Sequence, residues 1–257
     1  MPSNRANTEL DRSPNANETI IPPSTWLFAS ELHRATIEML GLLPAHPWLK
    51  KAKQGDGQPV MVLPGFGAAD YTTIFLRKFI KQWGYPAYPW MQGSNLDPKV
   101  VKNMDDVMAG IEVIVDNLRP RLDSMIQRHG QKASLIGWSL GGVISRLIAS
   151  KHPELVRQVI TLGTPFGDLR GVSITHYYAR FTGSAISDSD VEKWIRLSQP
   201  KLTDIPITAI YSKGDGFLSP KVAELPKADK VENILVPASH IGFGVNPVVY
   251  KVIADRL

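Results

Sequence analysis

The chain has 257 residues and contains no cysteine. This absence excludes a disulfide-built scaffold, a thiol nucleophile and any metal site that depends on cysteine ligands. It does not identify the compartment, because many exported proteins also lack cysteine. Any covalent catalysis by this chain therefore needs another nucleophile, and serine is the first candidate.

Long apolar runs and runs of like charge are missing as well. No segment approaches the roughly 20 apolar residues that cross a bilayer. The formal net charge is +5, but lysine and arginine are scattered among aspartate and glutamate. We therefore expect a soluble protein without a nucleic-acid partner, for which contact with a lipid interface stays open.

The amino-terminal segment 1–23 is rich in Asn, Ser, Thr and Pro. It has no apolar core behind a basic start, so it does not resemble a signal peptide, and we expect a polar, disordered arm in a cytoplasmic protein. The remaining residues, 24–257, contain enough apolar sequence for one well-buried core. They are expected to form a single domain.

An amphipathic helix is predicted directly after the arm. Ser24 is a suitable N-cap, and Gly41 and Pro44 suggest where the helix ends. Its apolar residues are expected to pack on the domain: Trp26, Leu27, Leu32, Ala35, Ile37, Met39 and Leu40. The alternative is that Trp26 and Phe28 grip a membrane or an apolar substrate.

Strand-like and helix-like segments alternate through the rest of the chain. In order they are Val60 to Leu63, Tyr71 to Trp83, Ala87 to Trp90, Asn103 to Arg128, Ala133 to Ile136, Leu140 to Ser150, Val156 to Leu162, Ile207 to Tyr211, Val231 to Val236 and Pro247 to Leu257. This alternation predicts an α/β fold with a parallel sheet and helices on both faces. It lapses at about 165–202, where we expect a small cap insertion.

The motif Gly137-Trp138-Ser139-Leu140-Gly141 is the strongest chemical signal. The five-residue pattern alone is weak, but here it stands between a predicted strand and a predicted helix. Glycines two residues before and after a serine permit the tight turn that exposes its hydroxyl. Ser139 is therefore the predicted nucleophile.

A serine nucleophile needs a base and a group that orients the base. Among six histidines, His240 lies in a loop directly after the last predicted strand, whereas the others lie on helices, at helix ends, in the cap or in a proline-bounded turn. Asp215 lies in a glycine-flanked loop after the preceding strand. Parallel strands deliver both loops to one edge of the sheet, so we expect these two side chains to meet.

The order Ser139, Asp215, His240 resembles the α/β-hydrolase superfamily. The resemblance covers Val60 to Leu257, and further motifs are similar to its bacterial esterase and triacylglycerol-lipase branch: Pro64 to Gly67, Gly137 to Gly142, Thr161 to Pro165 and Ser239 to Gly242. It implies the α/β-hydrolase fold, with a mostly parallel central sheet, helices on both faces and a small cap.

The resemblance also implies a function. A Ser-His-Asp triad would cleave carboxylic esters, including lipids, through an acyl-enzyme, with no metal or cofactor. The oxyanion hole would use the backbone amides of Phe66 and Leu140, although Pro64 replaces the histidine that many lipases carry there. Apolar residues predicted near the substrate are Trp138, Leu218 and Phe243. An acyltransferase with the same triad and a non-catalytic binding protein are the alternatives.

Overall fold

The computed structural model describes residues 20–52, 55–94, 103–182, 185–202 and 204–257. In these residues six strands form one sheet in the order β2-β1-β3-β4-β5-β6, and every neighbouring pair is parallel. The strands are β1 (Val60–Leu63), β2 (Ala87–Pro89), β3 (Ala133–Trp138), β4 (Val156–Leu162), β5 (Ile207–Tyr211) and β6 (Val231–Leu235).

The helices lie on both faces of this sheet. They are α1 (Thr25–Ala29), α2 (Glu31–Leu49), α3 (Ile74–Gln82), α4 (Met104–His129), α5 (Leu140–Lys151), α6 (Ser173–Thr182), α7 (Asp188–Ser198), α8 (Pro220–Ala223) and α9 (Pro247–Arg256). The predicted fold class, a parallel sheet covered by helices on both sides, is confirmed. Among the described residues, no helix combines the length and apolar character that a membrane span needs.

Strand β1 is apolar along its whole length because both of its faces are covered. All four residues of β1 are buried. Successive side chains of a strand point to opposite faces. Accordingly Val60 and Val62 pack with α2, α3 and α9, whereas Met61 and Leu63 pack with α4, α5 and α7. Two apolar layers therefore fix the sheet between the helices.

The strand order places a crevice at one edge of the sheet. The chain runs from β1 outwards to β2 and then returns past β1 to form β3. At such a reversal the loops that follow the two central strands separate, which leaves space for a ligand beyond their carboxyl ends. Gly65 follows β1 and Ser139 follows β3, so both lie at this reversal.

Helix α2 differs from the helix predicted for this region. It does not end near Gly41 and Pro44 but continues to Leu49. The inner side of the extra turns packs into the core through Leu42 and Leu49, and the indole of Trp83 donates to the Leu49 carbonyl at 2.9 Å. This packing outweighs the local helix-breaking tendency of Pro44, whose ring lies on the exposed side.

The prediction that the apolar residues of α1 and α2 face the core is also wrong for most of these residues. Trp26, Leu32, Ile37, Met39 and Leu40 are exposed. The buried side of α2 instead carries Glu31, Ala35, Leu42 and Leu49. The reason is that Glu31, Arg34 and Glu38 face the interior, where they form hydrogen bonds with backbone groups of the loops that follow β5 and β6.

The regions predicted as arm and cap are only partly described. Residues 1–19 lie outside the described residues. Helices α6 and α7 occupy the chain between β4 and β5, and the indole of Trp194 in α7 donates to the Pro165 carbonyl at 2.9 Å. A disordered arm and a functional cap remain predictions.

Two helical glycines give opposite expectations for substitution by alanine. A Cβ at Gly141 in α5 would lie 2.5 Å from the Leu63 carbonyl oxygen, whereas a Cβ at Gly41 in α2 would lie 3.6 Å from the Pro247 ring. Alanine favours a helix over glycine by about 1 kcal/mol. We expect Gly41→Ala to raise the free energy of unfolding by up to that amount and Gly141→Ala to lower it by about 2 kcal/mol. Urea unfolding measures both, and equal shifts would contradict the packing described around Gly141.

Candidate active site

Ser139 occupies a strained turn between β3 and α5. Its backbone angles are φ 53° and ψ −120°, a region that non-glycine residues rarely adopt. The Ser139 amide donates to the Leu162 carbonyl at 2.8 Å, which ties the turn to β4. A Cβ at Gly137 would lie 2.2 Å from the Gly141 carbonyl oxygen, so the turn closes only with glycine there. This geometry is the one that the sequence motif predicts.

The loop that follows β1 lies against this serine. A Cβ at Gly65 would be 3.3 Å from the Ser139 Cβ. Phe66 comes next in the chain and is half exposed, while Leu140 is buried at the first position of α5. The backbone amides predicted to form the oxyanion hole therefore belong to residues on either side of the serine, and the Leu140 amide lies at the positive end of a helix dipole.

Asp215 and His240 meet in the interior. The His240 Nδ1 atom lies 2.8 Å from Asp215 Oδ2, and both residues are almost completely buried. An ionised carboxylate can only accept a hydrogen bond, so the imidazole donates its Nδ1–H to Asp215. The Nε2 atom then carries the lone pair that can accept a proton. The other oxygen, Oδ1, accepts from the amides of Phe217 at 2.7 Å and Leu218 at 2.8 Å. The carboxylate is thus fixed on both sides.

Aromatic side chains hold the imidazole and connect it to the serine turn. The Phe217 ring stacks on the His240 ring, with 4.7 Å between centroids and an interplanar angle of 18°. Phe243 meets the same ring edge-on at 6.2 Å. The indole of Trp138 donates to the His240 carbonyl at 3.0 Å. Since Trp138 directly precedes Ser139, this bond joins the serine turn to the histidine loop.

A buried carboxylate from α2 holds the loops of Asp215 and His240 together. Oε1 of Glu31 accepts from the amides of Gly216 at 2.7 Å and His240 at 3.0 Å, and Oε2 accepts from the Ile241 amide at 2.9 Å. The guanidinium of Arg34 donates to Oε1 at 2.8 Å and supplies the compensating charge. One side chain therefore fixes both loops relative to each other.

Two further residues of α2 extend this support. Oε1 of Glu38 accepts from the Ser239 amide at 2.8 Å, and Oε2 accepts from the side-chain amide of Asn246 at 2.9 Å. Arg34 also donates to the Gly214 carbonyl. No motif in the sequence marks Glu31, Arg34, Glu38 or the stacking Phe217 as part of this site. Spacings of three and four residues put the three charged residues on one helix face, but a charged face normally points to solvent.

The residues predicted to line a substrate pocket lie around the site, but they are largely packed into the protein. Phe243 and Leu218 are buried, and Trp138 is partly exposed. Their contact with substrate remains a prediction. A groove of about 520 Å³ lies beside the loop of Asp215 rather than at Ser139, and it is lined by Arg34, Glu38, Ser212, Lys213, Gly214, Leu235, Val236, Pro237 and Ala238.

We expect Glu31→Gln to destabilise the fold. The glutamine side chain keeps one acceptor oxygen but has an NH₂ donor in place of the other. That donor would face a backbone N–H group of Ile241, Gly216 or His240. Leaving a buried donor unsatisfied costs about 2 kcal/mol. Urea unfolding should show a loss of this size, whereas the control Glu192→Gln, in an exposed pair with Arg196, should change stability by less than about 0.5 kcal/mol. Equal losses would contradict the anchoring role.

Comparison with known sequences identifies the same kind of fold. A family described as the alpha/beta hydrolase fold matches residues 112–188. The biotin biosynthesis bifunctional protein BioHC of Teredinibacter turnerae is 43% identical over 49 residues. This match covers 19% of the present chain and spans 9% of the length of that curated relative.

Solved structures are similar over most of the chain. A soluble variant of monoglyceride lipase from Saccharomyces cerevisiae, in complex with a substrate analog, has a TM-score of 0.56 at 16% identity, covering 80% of this chain and 86% of that chain. Lipase BlEst2 from Bacillus licheniformis has a TM-score of 0.55 at 16% identity, covering 80% and 93%. TT1662 from Thermus thermophilus has a TM-score of 0.56 at 13% identity, covering 80% and 88%. The chain has the α/β-hydrolase fold, as the resemblance of its motifs to that superfamily implies.

Proposed function

We propose that the protein is a serine hydrolase that cleaves carboxylic esters, with Ser139 as nucleophile, His240 as base and Asp215 as orienting acid. The observation that carries this proposal is the buried hydrogen bond between Asp215 and His240, in a loop joined to the serine turn through Trp138. Structural neighbours named as lipases support an ester substrate.

The reaction follows from the roles of these side chains. Nε2 of His240 accepts the hydroxyl proton of Ser139 while Oγ attacks the ester carbonyl. The carbonyl oxygen becomes an oxyanion, which accepts hydrogen bonds from the amides of Phe66 and Leu140. The C–O bond to the alcohol then breaks, and the imidazolium returns its proton to the departing alcohol. An acyl-Ser139 ester remains.

Water completes the cycle by the same steps. His240 removes a proton from water as its oxygen attacks the acyl carbonyl, and the second tetrahedral intermediate releases a carboxylic acid and restores the Ser139 hydroxyl. Asp215 stays ionised throughout, keeps the imidazole in the tautomer with a basic Nε2 and stabilises the imidazolium. The Phe217 stack restricts the imidazole ring to one plane.

Replacing the nucleophile tests the covalent route. We expect Ser139→Ala to lower kcat for p-nitrophenyl butyrate hydrolysis by more than about a thousandfold, because no acyl-enzyme can form. A fluorophosphonate should label the wild-type chain and leave this variant unlabelled. The control is Ser124→Ala, at an exposed position of α4, which should retain full activity and labelling. Unchanged turnover in Ser139→Ala would refute the proposal.

Replacing the acid tests the orienting role. In Asp215→Asn the amide can donate to Nδ1, so the imidazole would favour the tautomer whose Nε2 carries the proton and cannot act as a base. We expect kcat to fall by a factor on the order of 10⁴ at neutral pH, with KM changed much less. The control Asp188→Asn alters an exposed carboxylate of α7 and should leave both constants unchanged. A drop confined to KM would contradict the assigned role.

A further inference from the structure

The outward side of α2 is an apolar surface beside the site. All residues of α2 are described, and apart from His33 its exposed residues carry no ionisable group: Leu32, Thr36, Ile37, Met39, Leu40, Leu43, Pro44, Pro47 and Trp48. Leu32 and Leu43 are 71% and 73% exposed, and Trp26 of α1 is 70% exposed. We call Trp26, Leu32, Ile37, Met39, Leu40, Leu43 and Trp48 the apolar face.

The orientation of α2 prevents this face from turning inwards. Glu31 and Glu38 accept backbone hydrogen bonds from the two catalytic loops, and Arg34 donates to one of them. Rotating the helix to bury its leucines would break these bonds and expose the core-facing Leu42. Isolated exposed apolar residues are common, but a contiguous apolar surface of this length marks a contact with another phase or molecule.

Basic residues lie on the segments that adjoin the carboxyl-terminal half of α2. The lysine rim consists of Lys50 and Lys51 after α2, Lys78 and Lys81 on α3, and Lys251 on α9. All of them except the partly buried Lys251 are exposed. Helix α3 adjoins α2 through the rings of Phe79 and His46, 5.5 Å apart. The Lys251 ammonium lies 5.8 Å from the centre of the Trp48 ring.

Acidic side chains of the three helices offset one lysine of this rim, Lys251. Within α2, α3 and α9, which the structure describes in full, the acidic residues are Glu31, Glu38 and Asp255. The first two bind backbone amides in the interior, and Asp255 pairs with Lys251. The border of the apolar face is therefore positively charged, as expected for a surface that meets anionic headgroups.

We propose that the apolar face docks on the surface of an anionic lipid bilayer. The leucines would enter the boundary of the acyl region, and the lysine rim would contact the headgroups. Tryptophan favours this boundary, and Trp26 and Trp48 lie at opposite ends of the face. A second copy of the chain fits less well, because a symmetric contact through this face would bring two lysine rims together.

Docking through this face would bring the site close to the lipid. The Phe28 ring of α1 lies 5.3 Å from the Phe217 ring, which stacks on His240. The loop of His240 is bound directly to the inner side of α2, so about one helix diameter, ~10 Å, separates it from the docked face. The docking does not depend on ester hydrolysis and is testable with a catalytically inactive chain.

Vesicle binding tests the proposal. The full chain is sedimented with vesicles of phosphatidylcholine containing phosphatidylglycerol and with vesicles of phosphatidylcholine alone. We expect binding to the anionic vesicles, a blue shift of tryptophan emission, and weaker binding at high salt. Ser139→Ala should bind as the wild type does. No binding to anionic vesicles, or equal binding to both vesicle types, would overturn the proposal.

Two sets of variants locate the surface. Leu40→Ser with Leu43→Ser should lower the partition coefficient by about a hundredfold, since each leucine contributes roughly a factor of ten. The control Val113→Ser removes an exposed apolar side chain from α4, on the other side of the sheet, and should bind normally. Lys50→Gln with Lys51→Gln should weaken binding to anionic vesicles by about fivefold per lysine.

The same variants separate a lipid surface from a protein partner. Light scattering should give a monomer mass for the wild type and for the double leucine variant. A dimer mass that the leucine substitutions reduce, without vesicle binding, would assign the face to self-association and overturn the proposal. Equal losses of vesicle binding in Val113→Ser and in the double leucine variant would also overturn it.

Discussion

The buried carboxylate of Glu31 is the interaction on which the arrangement of this site depends. It accepts hydrogen bonds from the backbone amides of Gly216, His240 and Ile241, which belong to two separate loops of the chain. A buried charge is costly unless it is paired and hydrogen-bonded, and here Arg34 and the three amides meet that requirement. Removal of any one partner would therefore disturb the others, and the helix and the two loops form one unit.

The same interaction explains why the outward side of α2 is apolar. Because the charged side of α2 must face the loops, its leucines and Trp48 remain outside. The sheet supplies the other half of the site. Its strand reversal between β1 and β3 brings Gly65 against Ser139, and the bond from Trp138 to the His240 carbonyl joins the serine turn to the loop that Glu31 anchors. The geometry of the candidate site and the apolar character of the α2 surface thus share one cause.

Much of this fold was predictable from local sequence. The predicted bounds of β1, β4 and β5 agree with the structure, because buried parallel strands are short apolar runs that end at turn residues. The serine turn was predictable for a similar reason, since its glycines are required by contacts only a few residues away. The positions of Asp215 and His240 follow from parallel strands that deliver their loops to one edge.

The role of α2 was not predictable in this way. Glu31 binds groups about 185 and 209 residues further along the chain, and no local pattern distinguishes a buried anchoring glutamate from a solvated one. Gly41 and Pro44 suggest an early end to the helix, yet core contacts of Leu49 sustain it. Long-range packing and hydrogen bonding overrode helix-stop signals and the usual orientation of an amphipathic helix.

The most direct measurement is a crystal structure of the protein after reaction with a p-nitrophenyl phosphonate ester, whose tetrahedral phosphorus resembles the transition state of ester cleavage. We predict a covalent bond from Ser139 Oγ to phosphorus, a phosphonyl oxygen within hydrogen-bond distance of the amides of Phe66 and Leu140, and the His240 imidazole still bound to Asp215. An adduct on a different side chain, or an imidazole bound to Asp215 but out of reach of the Ser139 adduct, would contradict the assignment of these three residues to one catalytic unit.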